Sequence, residues 1–541
     1  METAVQTDLA SLRDGVREAL GSKQSPSLKE DQVTDHLKTA LTQRGRFCRT
    51  AEGSALFFHT GDRKLYEISD RSDSPFGQLV TYLVDLSVAN AVMRRSLDRL
   101  RAWTAQEADL VEVHGLAYNT ADADVIAVND FGGGMWYRER GGQWKYRQNG
   151  DAGILFWTPL EFVEPWKPQF NADPAENAAH LRGLLDGPHF ADDVMTVRDQ
   201  RLLLRALLLA PLFPSRCQVR PIQAHLGLSQ QRQHDTGKTM AGKILGALFV
   251  GSRFQPTPVT SSSDRAEEAV QLALMHQPFV LLDNVDTDIR WLNDFLCTYA
   301  TGARPTKRKL YSDTAQVHVE YRGRLCITSR KAKFNRADTA SRTIPFRFRP
   351  IEASERRTEH ALLGPVLASR GAIWGGLLNL VARVQDALPT LSPPQPESRL
   401  ADFEQLGWCV AAVDGEQEQW QGAIQRLMAA QGGFALEDEV LVPVLRSLLA
   451  NGDLPEQPSS KLYEACRQKA VDRVWELPHD AAAFMRRLND IHGALESQLD
   501  IRITTRTLSG QTLVRITRGP SWADEVTEDR DFSYACGGVS K

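Results

Sequence analysis

The chain has 541 residues, of which 42% are hydrophobic and 24% are charged. This length and composition indicate a globular protein of several domains and exclude a disordered or fibrous chain. A net charge of −4 at pH 7 excludes a polycation, so any surface for nucleic acid must be local. The seven cysteines are scattered without a CxxC pair, which argues against a zinc site or a disulfide framework and favours a reducing cytoplasm.

The first 180 residues predict two parts. Residues 1–30 predict a helix and a Ser/Lys-rich connector, and residues 31–180 predict a mixed α+β domain that ends in a polar linker from about 165. Its predicted strands and helical stretch are Ala55–His59, Lys64–Ile68, Gln78–Trp103, Val125–Val128, Met135–Arg138, Trp144–Arg147 and Ile154–Trp157. No primase or polymerase constellation of acids is evident in this region.

The chain predicts no membrane partner. Its N-terminus lacks the apolar stretch of a signal peptide. The longest apolar segment, Leu202–Phe213, contains Arg205 and is too short to span a bilayer, so it predicts a buried helix. We therefore expect a cytoplasmic protein.

Residues 181–390 predict an α/β domain, because strands and helices alternate along the chain. The predicted elements are strand Pro221–Leu226, helix Lys238–Val250, helix Asp264–Met275, strand Phe279–Leu282, helix Trp291–Ala300, strand Arg324–Thr328 and strand Thr343–Phe348. Such alternation indicates a parallel sheet with helices on both faces. Ligands bind at the carboxyl ends of parallel strands, where Lys238, Asp283 and Thr328 are expected to lie.

The run Asp235-Thr236-Gly237-Lys238-Thr239 has the pattern of the second half of a phosphate-binding loop. In such a loop the lysine reaches the β- and γ-phosphates of ATP, and the threonine hydroxyl binds Mg²⁺. Asp283 ends a predicted buried strand 44 residues later and is the candidate acid on the metal side, acting through water. This order and spacing predict a nucleoside triphosphatase of the P-loop type, with Thr239 and Asp283 at the metal.

Two departures leave an alternative open. A regular loop begins with glycine, whereas this chain has Arg232 at that position. Asn284 follows Asp283, and asparagine orients water but accepts no proton, while Asp286 and Asp288 are candidate bases by proximity only. The sequence therefore supports nucleotide binding more strongly than fast hydrolysis, and a loop-to-helix turn that binds nothing is the alternative.

Residues 301–350 contain 13 Lys or Arg residues and three acids. Lys307, Arg308 and Lys309 precede a predicted hairpin and are candidates for contacts with DNA phosphates. Arg336 and Arg342 are candidates for an arginine finger that reaches the γ-phosphate of a neighbouring subunit. The alternative is a solvated basic surface.

The C-terminal part predicts a helical lid or connector over residues 391–455, a winged-helix-like domain over 456–520 and a disordered tail over 521–541. The second of these combines helices near Ser460–Val471 and Ala481–Gln498 with a hairpin, Ile501–Thr507 and Thr512–Thr517. Arg502 and Arg506 lie on one face of the first hairpin strand, which suits contact with a DNA backbone. A winged helix that contacts protein is the alternative.

A set of motifs in order resembles a known group of proteins. The motifs are Thr236–Thr239, Leu281–Asn284, Trp291–Asp294, Ala300–Gly302, Arg308–Asp313, Arg336–Arg342, Arg356–Glu359 and Arg399–Phe403 with Trp408. Over about residues 200–430 the chain resembles the helicase-type ATPases of phages, plasmids and integrated elements. These are relatives of AAA+ and superfamily-three helicases and often form part of primase–helicase proteins.

The resemblance implies roles for particular residues. Lys238 and Thr239 would bind the nucleotide and its metal, Asp283 would be the acid on the metal side, and Thr328 would stand where a polar sensor follows a strand. Arg342 would be the arginine finger. The hairpin after Arg308 would touch single-stranded DNA in the pore of a ring, which the group forms as a hexamer.

These expectations lead to two hypotheses. The first is an ATP-dependent DNA helicase or translocase that acts in the replication of a mobile element. The alternative is a nucleotide-gated DNA-binding scaffold or switch with little hydrolysis, in element maintenance or anti-phage defence.

Overall fold

The computed structural model describes residues 2–171, 173–228, 236–259, 264–285, 289–302, 306–308, 316–318, 320–330, 334, 336–437, 439–471, 477–508 and 510–520. The predicted site residues Asp235, Asp286, Asp288 and Lys309 lie outside these ranges, as do Arg232 and the tail 521–541.

The N-terminal unit packs helices against one face of a small sheet. Its elements are α1 (Glu2–Gly21), α2 (Pro26–Thr42), β1 (Gly45–Arg49), β2 (Ala55–His59), β3 (Lys64–Glu67), α3 (Pro75–Val84), α4 (Ala91–Glu107) and β4 (Asp109–Leu110). The strand order is β3-β2-β1-β4, and the predicted hairpin is confirmed as β2 and β3. Val33, Phe57, Phe76 and Leu97 are fully buried or nearly so in a core of this unit's own.

Two predictions for this unit differ from the structure. The boundary placed at residue 30 falls inside α2, because Pro26 begins that helix behind Ser25. The helical stretch Gln78–Trp103 is broken into α3 and α4. Asp85 ends α3 in the left-handed conformation with φ 55°, and the side chain of Asn90 caps the start of α4.

A second, antiparallel sheet follows. It contains β5 (Ala117–Asn119), β6 (Val125–Asn129), β7 (Gly134–Glu139) and β8 (Lys145–Gln148), in that order, and helix α5 (Pro174–Asp186) comes next in the chain. The predicted strand Ile154–Trp157 is wrong, since it makes only an isolated bridge between Phe156 and His114. The N–H of Phe156 donates instead to the side chain of Asn149. The boundary placed at residue 180 falls inside α5, which Asp173 caps.

The central unit is built on a parallel sheet, as predicted. Its elements are α6 (Val197–Leu209), β9 (Ile222–Gly227), α7 (Lys238–Phe249), β10 (Thr257–Pro258), α8 (Asp264–His276), β11 (Phe279–Asp283), α9 (Leu292–Ala300), β12 (Thr306–Arg308), β13 (Gln316–His318), β14 (Arg324–Ser329), α10 (Ala337–Ala340), β15 (Thr343–Phe348), α11 (Glu359–Ala368) and α12 (Arg370–Ala387). The strand order is β10-β11-β14-β9-β15, with every neighbouring pair parallel. β12 and β13 form a separate antiparallel hairpin.

Helices cover both faces of this sheet. On one face, Leu245 and Phe249 of α7 pack with Phe279 of β11 and with α6 and α12. On the other face, α9 packs through Phe295 and Leu296 against alternate strand residues. β9 and β14 are neighbours in the sheet, but the strands that follow them in the chain, β10 and β15, lie on opposite sides of this pair. A crevice at the carboxyl ends of two such strands is the usual place for a ligand in an open α/β sheet.

The C-terminal part begins with helices and ends with a small sheet. Its elements are α13 (Ala401–Ala412), α14 (Gln417–Leu436), α15 (Leu441–Leu449), β16 (Leu454–Pro458), α16 (Ser459–Val471), α17 (Ala481–Leu499), β17 (Ile501–Leu508) and β18 (Gln511–Arg518). α13 and α14 pack on the central core, whereas the elements from α15 onwards share a core of their own. The sheet is antiparallel with order β16-β18-β17.

Within the described ranges, no single helix is long and apolar enough to cross a membrane. The helix pair Glu359–Ala368 and Arg370–Thr390 passes a test of length and composition together, but it is bent by 58°. Most of α12 is buried in the central core.

Candidate functional site

A glycine shapes the backbone where α7 begins. Gly237 has φ 74° and ψ 10°, a left-handed conformation that costs other residues energy. A Cβ atom at this position would lie 2.9 Å from the Cδ1 atom of Ile351, the end of a flexible side chain, so the backbone conformation is the main reason for glycine here. α7 follows directly at Lys238, and its first N–H groups carry the positive end of the helix dipole. This geometry suits a phosphate at the start of α7.

The end of β11 brings three of the predicted site residues together. The register pairs Leu282 of β11 with Ile327 of β14, which places Asp283 next to Thr328. The Thr328 hydroxyl donates a hydrogen bond of 2.6 Å to Oδ1 of Asp283, and the Thr239 hydroxyl donates one of 2.7 Å to the same oxygen. Because these residues belong to β11, β14 and α7, the contact fixes α7 at the carboxyl edge of the sheet.

An open cleft of about 400 Å³ lies over this contact. Its lining residues are Thr236, Gly237, Lys238, Thr239, Met240, Lys243, Asn284, Thr328, Ser329, Arg330 and Glu359. The volume is within the range of small-molecule sites. Lys238, Lys243 and Arg330 are positive, whereas Glu359, whose Oε1 lies 2.9 Å from Nζ of Lys243, is negative. The excess of positive charge favours an anionic ligand.

Asn284 lines the cleft immediately after Asp283. Its φ of 58° is left-handed, a conformation that asparagine tolerates better than most residues. Its backbone N–H donates a 2.8 Å hydrogen bond to the Thr328 hydroxyl, so the same hydroxyl links Asn284 to Asp283. This hydrogen bond fixes the backbone of Asn284, and so the position of its Cα and Cβ atoms.

Arg342 lies at the amino ends of the parallel strands, whereas the cleft lies at their carboxyl ends. It immediately precedes β15, whose first residue pairs with the first residue of β9. The cleft is at the carboxyl ends of those parallel strands, roughly 15–20 Å away for a six-residue strand. Nη1 of Arg342 donates a 2.6 Å hydrogen bond to the carbonyl oxygen of Asp338. Within one chain, the structure does not bring Arg342 to the cleft.

Arg336 immediately precedes α10, and two carboxylates hold its guanidinium. Its guanidinium forms ion pairs of 2.8 Å with Asp294 and with Asp338. The hydrogen bond from Arg336 is the main cause that lowers the pKa of Asp338 to about 2, and the pKa of Arg336 is raised in return. These contacts tie α10 to α9, so the structure gives Arg336 a local bracing role.

The basic run 301–350 is not one continuous surface. Several of its arginines contact the protein itself: Arg322 pairs with Glu320, Arg336 with Asp294 and Asp338, Arg347 with Glu437 and Arg349 with Glu355, while Arg324 donates to the carbonyl of Leu207. The predicted DNA residues Lys307 and Arg308 lie on β12, opposite Val317 and Gln316 of β13. The predicted positive surface is therefore narrower than the count of basic residues implies.

The predicted wing arginines share one face of the C-terminal hairpin. Arg502 and Arg506 alternate with the buried side of β17, and the register places Arg515 of β18 on their face, opposite Thr504. Acids lie beside both predicted residues, since Arg506 is paired with Glu456 and the Nε of Arg502 is 3.8 Å from Glu496. The positive charge on this face of the hairpin is thus partly neutralised, which sequence reasoning missed.

Arg347 and Glu437 form a partly buried ion pair that sequence reasoning also missed. Nη2 and Nη1 of Arg347 lie 2.7 and 3.1 Å from the two carboxylate oxygens of Glu437, and both side chains are 14% exposed. Nη1 also donates a 3.2 Å hydrogen bond to the carbonyl of Gly227, the last residue of β9. The pair therefore joins the end of β9, the strand before the predicted phosphate-binding motif, to the end of α14.

We expect Glu437→Ala to lower the free energy of unfolding by about 1–3 kcal/mol, because it removes the carboxylate that accepts two hydrogen bonds from the partly buried Arg347 guanidinium. Asp73→Asn is the matched control, since the Arg71–Asp73 pair is exposed on both sides. Urea unfolding of the two variants and the parent chain measures the difference. Equal unfolding midpoints for all three proteins would show that the Arg347–Glu437 pair contributes little to stability.

Residues 204–421 match the family model described as an actinomycete integrative conjugative element replication protein. The match begins in α6 and ends in α14, so it includes the parallel sheet and the cleft but less than half of the chain. It agrees with the resemblance to proteins of integrated elements and with the extent expected from the motifs. No curated protein matches the chain.

Two solved structures are similar to the chain at low identity. The first is the C-terminal region of NrS-1 in its A-form apo structure, with 11% identity, a TM-score of 0.36, and coverage of 89% of this chain and 98% of that one. The second is JCV helicase bound to a small acetamide compound, with 14% identity, a TM-score of 0.20, and coverage of 47% and 73%. Both TM-scores are too low to carry an assignment of fold or function.

Proposed function

We propose that this chain binds Mg²⁺–ATP and uses its hydrolysis to move along or remodel DNA during replication of a mobile element. The observation that carries the proposal is the contact of Thr239 and Thr328 with one oxygen of Asp283, at the start of α7 and at the carboxyl edge of the sheet. The family match to a replication protein supports the biological setting.

The residues of the cleft fit ATP and its metal. Hydroxyl and carboxylate oxygens are donors that Mg²⁺ takes, and those of Thr239 and Asp283 meet within 2.7 Å from separate elements. The Lys238 amine and the first N–H groups of α7 would hold the β- and γ-phosphates. A bound Mg²⁺ would neutralise charge on the phosphate oxygens. Thr328 and Asn284, which both line the cleft, would orient a water near the end of β11.

The proposed assembly is a ring, a hexamer in the version the resemblance implies. Arg342 would then serve the cleft of a neighbouring copy, since its own cleft is at the other edge of the sheet. Hairpin β12–β13, with Lys307 and Arg308, would contact single-stranded DNA in the pore. Arg502 and Arg506 would add backbone contacts from a winged-helix module.

One observation favours the second function, a nucleotide-gated DNA-binding scaffold or switch. Asn284 occupies the place after the metal-side acid, and its amide accepts no proton. Nucleotide would then control assembly on DNA without rapid turnover. The two functions share the cleft and differ in hydrolysis.

Binding of Mg²⁺–ATP to the purified chain, measured by calorimetry, tests the assignment of the cleft. We expect Lys238→Ala to weaken binding by about 10–100-fold, because the variant has no charged hydrogen-bond donor for the phosphates. Lys145→Ala, an exposed lysine on β8 outside the cleft, is the matched control and should leave the affinity unchanged. A parent chain that fails to bind ATP, or equal affinities for the two variants, would reject the proposed site.

A further inference from the structure

Two polar side chains interrupt the apolar core beneath the start of α7. Along β9, Ile222, Ala224 and Leu226 face the cluster formed with α9. Gln223 and His225 alternate with them and face α7, at 7% and 2% exposure. Buried polar groups cost free energy unless they are hydrogen-bonded, so the contacts of these two residues matter.

The two side chains form a chain of hydrogen bonds that ends at the phosphate-binding motif. The amide nitrogen of Gln223 donates over 2.7 Å to Nε2 of His225. Because Nε2 accepts, the ring proton is on Nδ1, which donates over 3.1 Å to the carbonyl oxygen of Lys238. Gln223 thus selects the imidazole tautomer that can hold the backbone of Lys238.

The surroundings of His225 keep this arrangement in place. Phe346 and Phe348 of β15 pack against the imidazole, with ring centroids 5.9 and 4.9 Å away. Burial lowers the pKa of His225 to about 4, so the ring is neutral at pH 7 and retains one donor and one acceptor. The ring therefore has a fixed position as well as a fixed tautomer.

We propose that Gln223 and His225 are a positioning pair that holds the backbone of Lys238, so that its side chain meets the phosphates of the nucleotide. The inference rests on the proposed function and names residues for it beyond the phosphate-binding motif. Neither side chain lines the cleft, so both act through Lys238.

The need for such a pair follows from the local geometry. Gly237 turns the backbone with a left-handed φ just before Lys238, and glycine by itself restricts that turn weakly. Thr239 anchors the same turn of helix to Asp283 of β11. The hydrogen bond from His225 anchors the Lys238 carbonyl to β9. The first turn of α7 is therefore tied to two strands, β9 and β11.

Three variants separate positioning from general damage to the core. His225→Phe keeps an aromatic ring but removes both hydrogen bonds. His225→Asn restores an amide donor near the place of Nδ1. Gln223→Met keeps the side-chain length and removes the donor that selects the tautomer; a cavity of about 20 Å³ bordered by Gln223 and Arg324 leaves some room for the change.

The measurements are competition of ATP and of AMP against a fluorescent ATP analogue, together with kcat and KM for ATP hydrolysis. We expect His225→Phe to weaken ATP binding by about fivefold to tenfold and to raise KM more than it lowers kcat. AMP binding should stay unchanged, since AMP lacks the β- and γ-phosphates. His225→Asn should recover most of the loss, and Gln223→Met should lie between the two.

Other results would overturn the inference. Equal losses for ATP and AMP, or no recovery in His225→Asn, would mean that His225 only packs the core. Unchanged ATP binding in His225→Phe would mean that the pair does not position Lys238.

Hydrogen exchange of the amides in residues 238–243, without nucleotide, keeps this inference separate from the proposed function. We expect faster exchange there in His225→Phe, with β11 unchanged and recovery in His225→Asn. If the parent chain binds no ATP, the proposed function fails, and this exchange pattern still decides whether the pair holds the backbone. Equal exchange rates in the parent chain and in both His225 variants would contradict the positioning role of Gln223 and His225.

Discussion

Replacing Arg342 by alanine is expected to lower ATP turnover by about 10³–10⁵-fold while ATP binding stays nearly intact, because an arginine finger acts on the transition state. The structure explains why the effect would cross a subunit boundary. Arg342 precedes β15 at the amino ends of the parallel strands, while the cleft of the same chain opens at their carboxyl ends. Turnover and equilibrium binding of ATP, measured on one preparation, give the two quantities.

Arg336→Ala is the comparison for Arg342→Ala. Arg336 is paired with Asp294 and Asp338, so Arg336→Ala should lower the melting temperature. Its ATP turnover should stay close to that of the parent chain. Mixing Arg342→Ala chains with Lys238→Ala chains provides a sharper test. If the site is shared between copies, the mixture regains part of the activity that each variant lacks. No recovery, or loss of ATP binding in Arg342→Ala, would make Arg342 a structural residue.

The affinity for DNA is expected to fall by about 10³–10⁵-fold between 50 and 200 mM salt, if the protein neutralises roughly 6–10 phosphates. A chain of net charge −4 can bind DNA only through local basic surfaces. Many arginines of the 301–350 run are paired within the protein, which leaves hairpin β12–β13 as the main candidate surface. Titration of fluorescent single-stranded DNA at several salt concentrations measures the dependence.

Variants of the hairpin assign the salt dependence to a surface. Replacing Lys307 and Arg308 together by alanine should reduce the salt slope by about two, because each of the two side chains is expected to neutralise one phosphate. Arg71→Ala is the control, because that exposed arginine is paired with Asp73 and lies outside both proposed DNA surfaces, and it should change the slope little. An affinity that does not depend on salt would contradict the proposal that the chain binds DNA.

The parallel sheet was predictable from local pattern. Strands β9, β11, β14 and β15 lie within one residue of the predicted bounds, because each is a short segment rich in apolar residues between turn or helix signals. β16 was missed, since Leu454–Pro458 contains two prolines and gives no strand signal. It is an edge strand, where the missing N–H groups of proline are tolerated. The sequence predicts a linker over the first turns of α5, because those turns are polar.

The candidate site was predictable only in part. Lys238, Thr239 and Asp283 were predictable from their order and spacing along the chain. The place of Thr328 near them was predictable because the carboxyl ends of parallel strands lie on the same side of a sheet. The shared oxygen of Asp283 depends on the register of β11 and β14, which the pattern does not give. The contacts of His225 and Arg347 depend on packing between distant segments, and neither a buried histidine nor a partly buried arginine has a distinctive local signal.

The measurement to make first is ATP hydrolysis by the purified chain, with and without single-stranded DNA, next to Lys238→Ala. We predict turnover that DNA stimulates and that Lys238→Ala abolishes, as expected of a DNA-dependent motor with its phosphates at the start of α7. Tight ATP binding without turnover, in the presence or absence of DNA, would contradict a motor and leave the nucleotide-gated scaffold as the function of the same cleft.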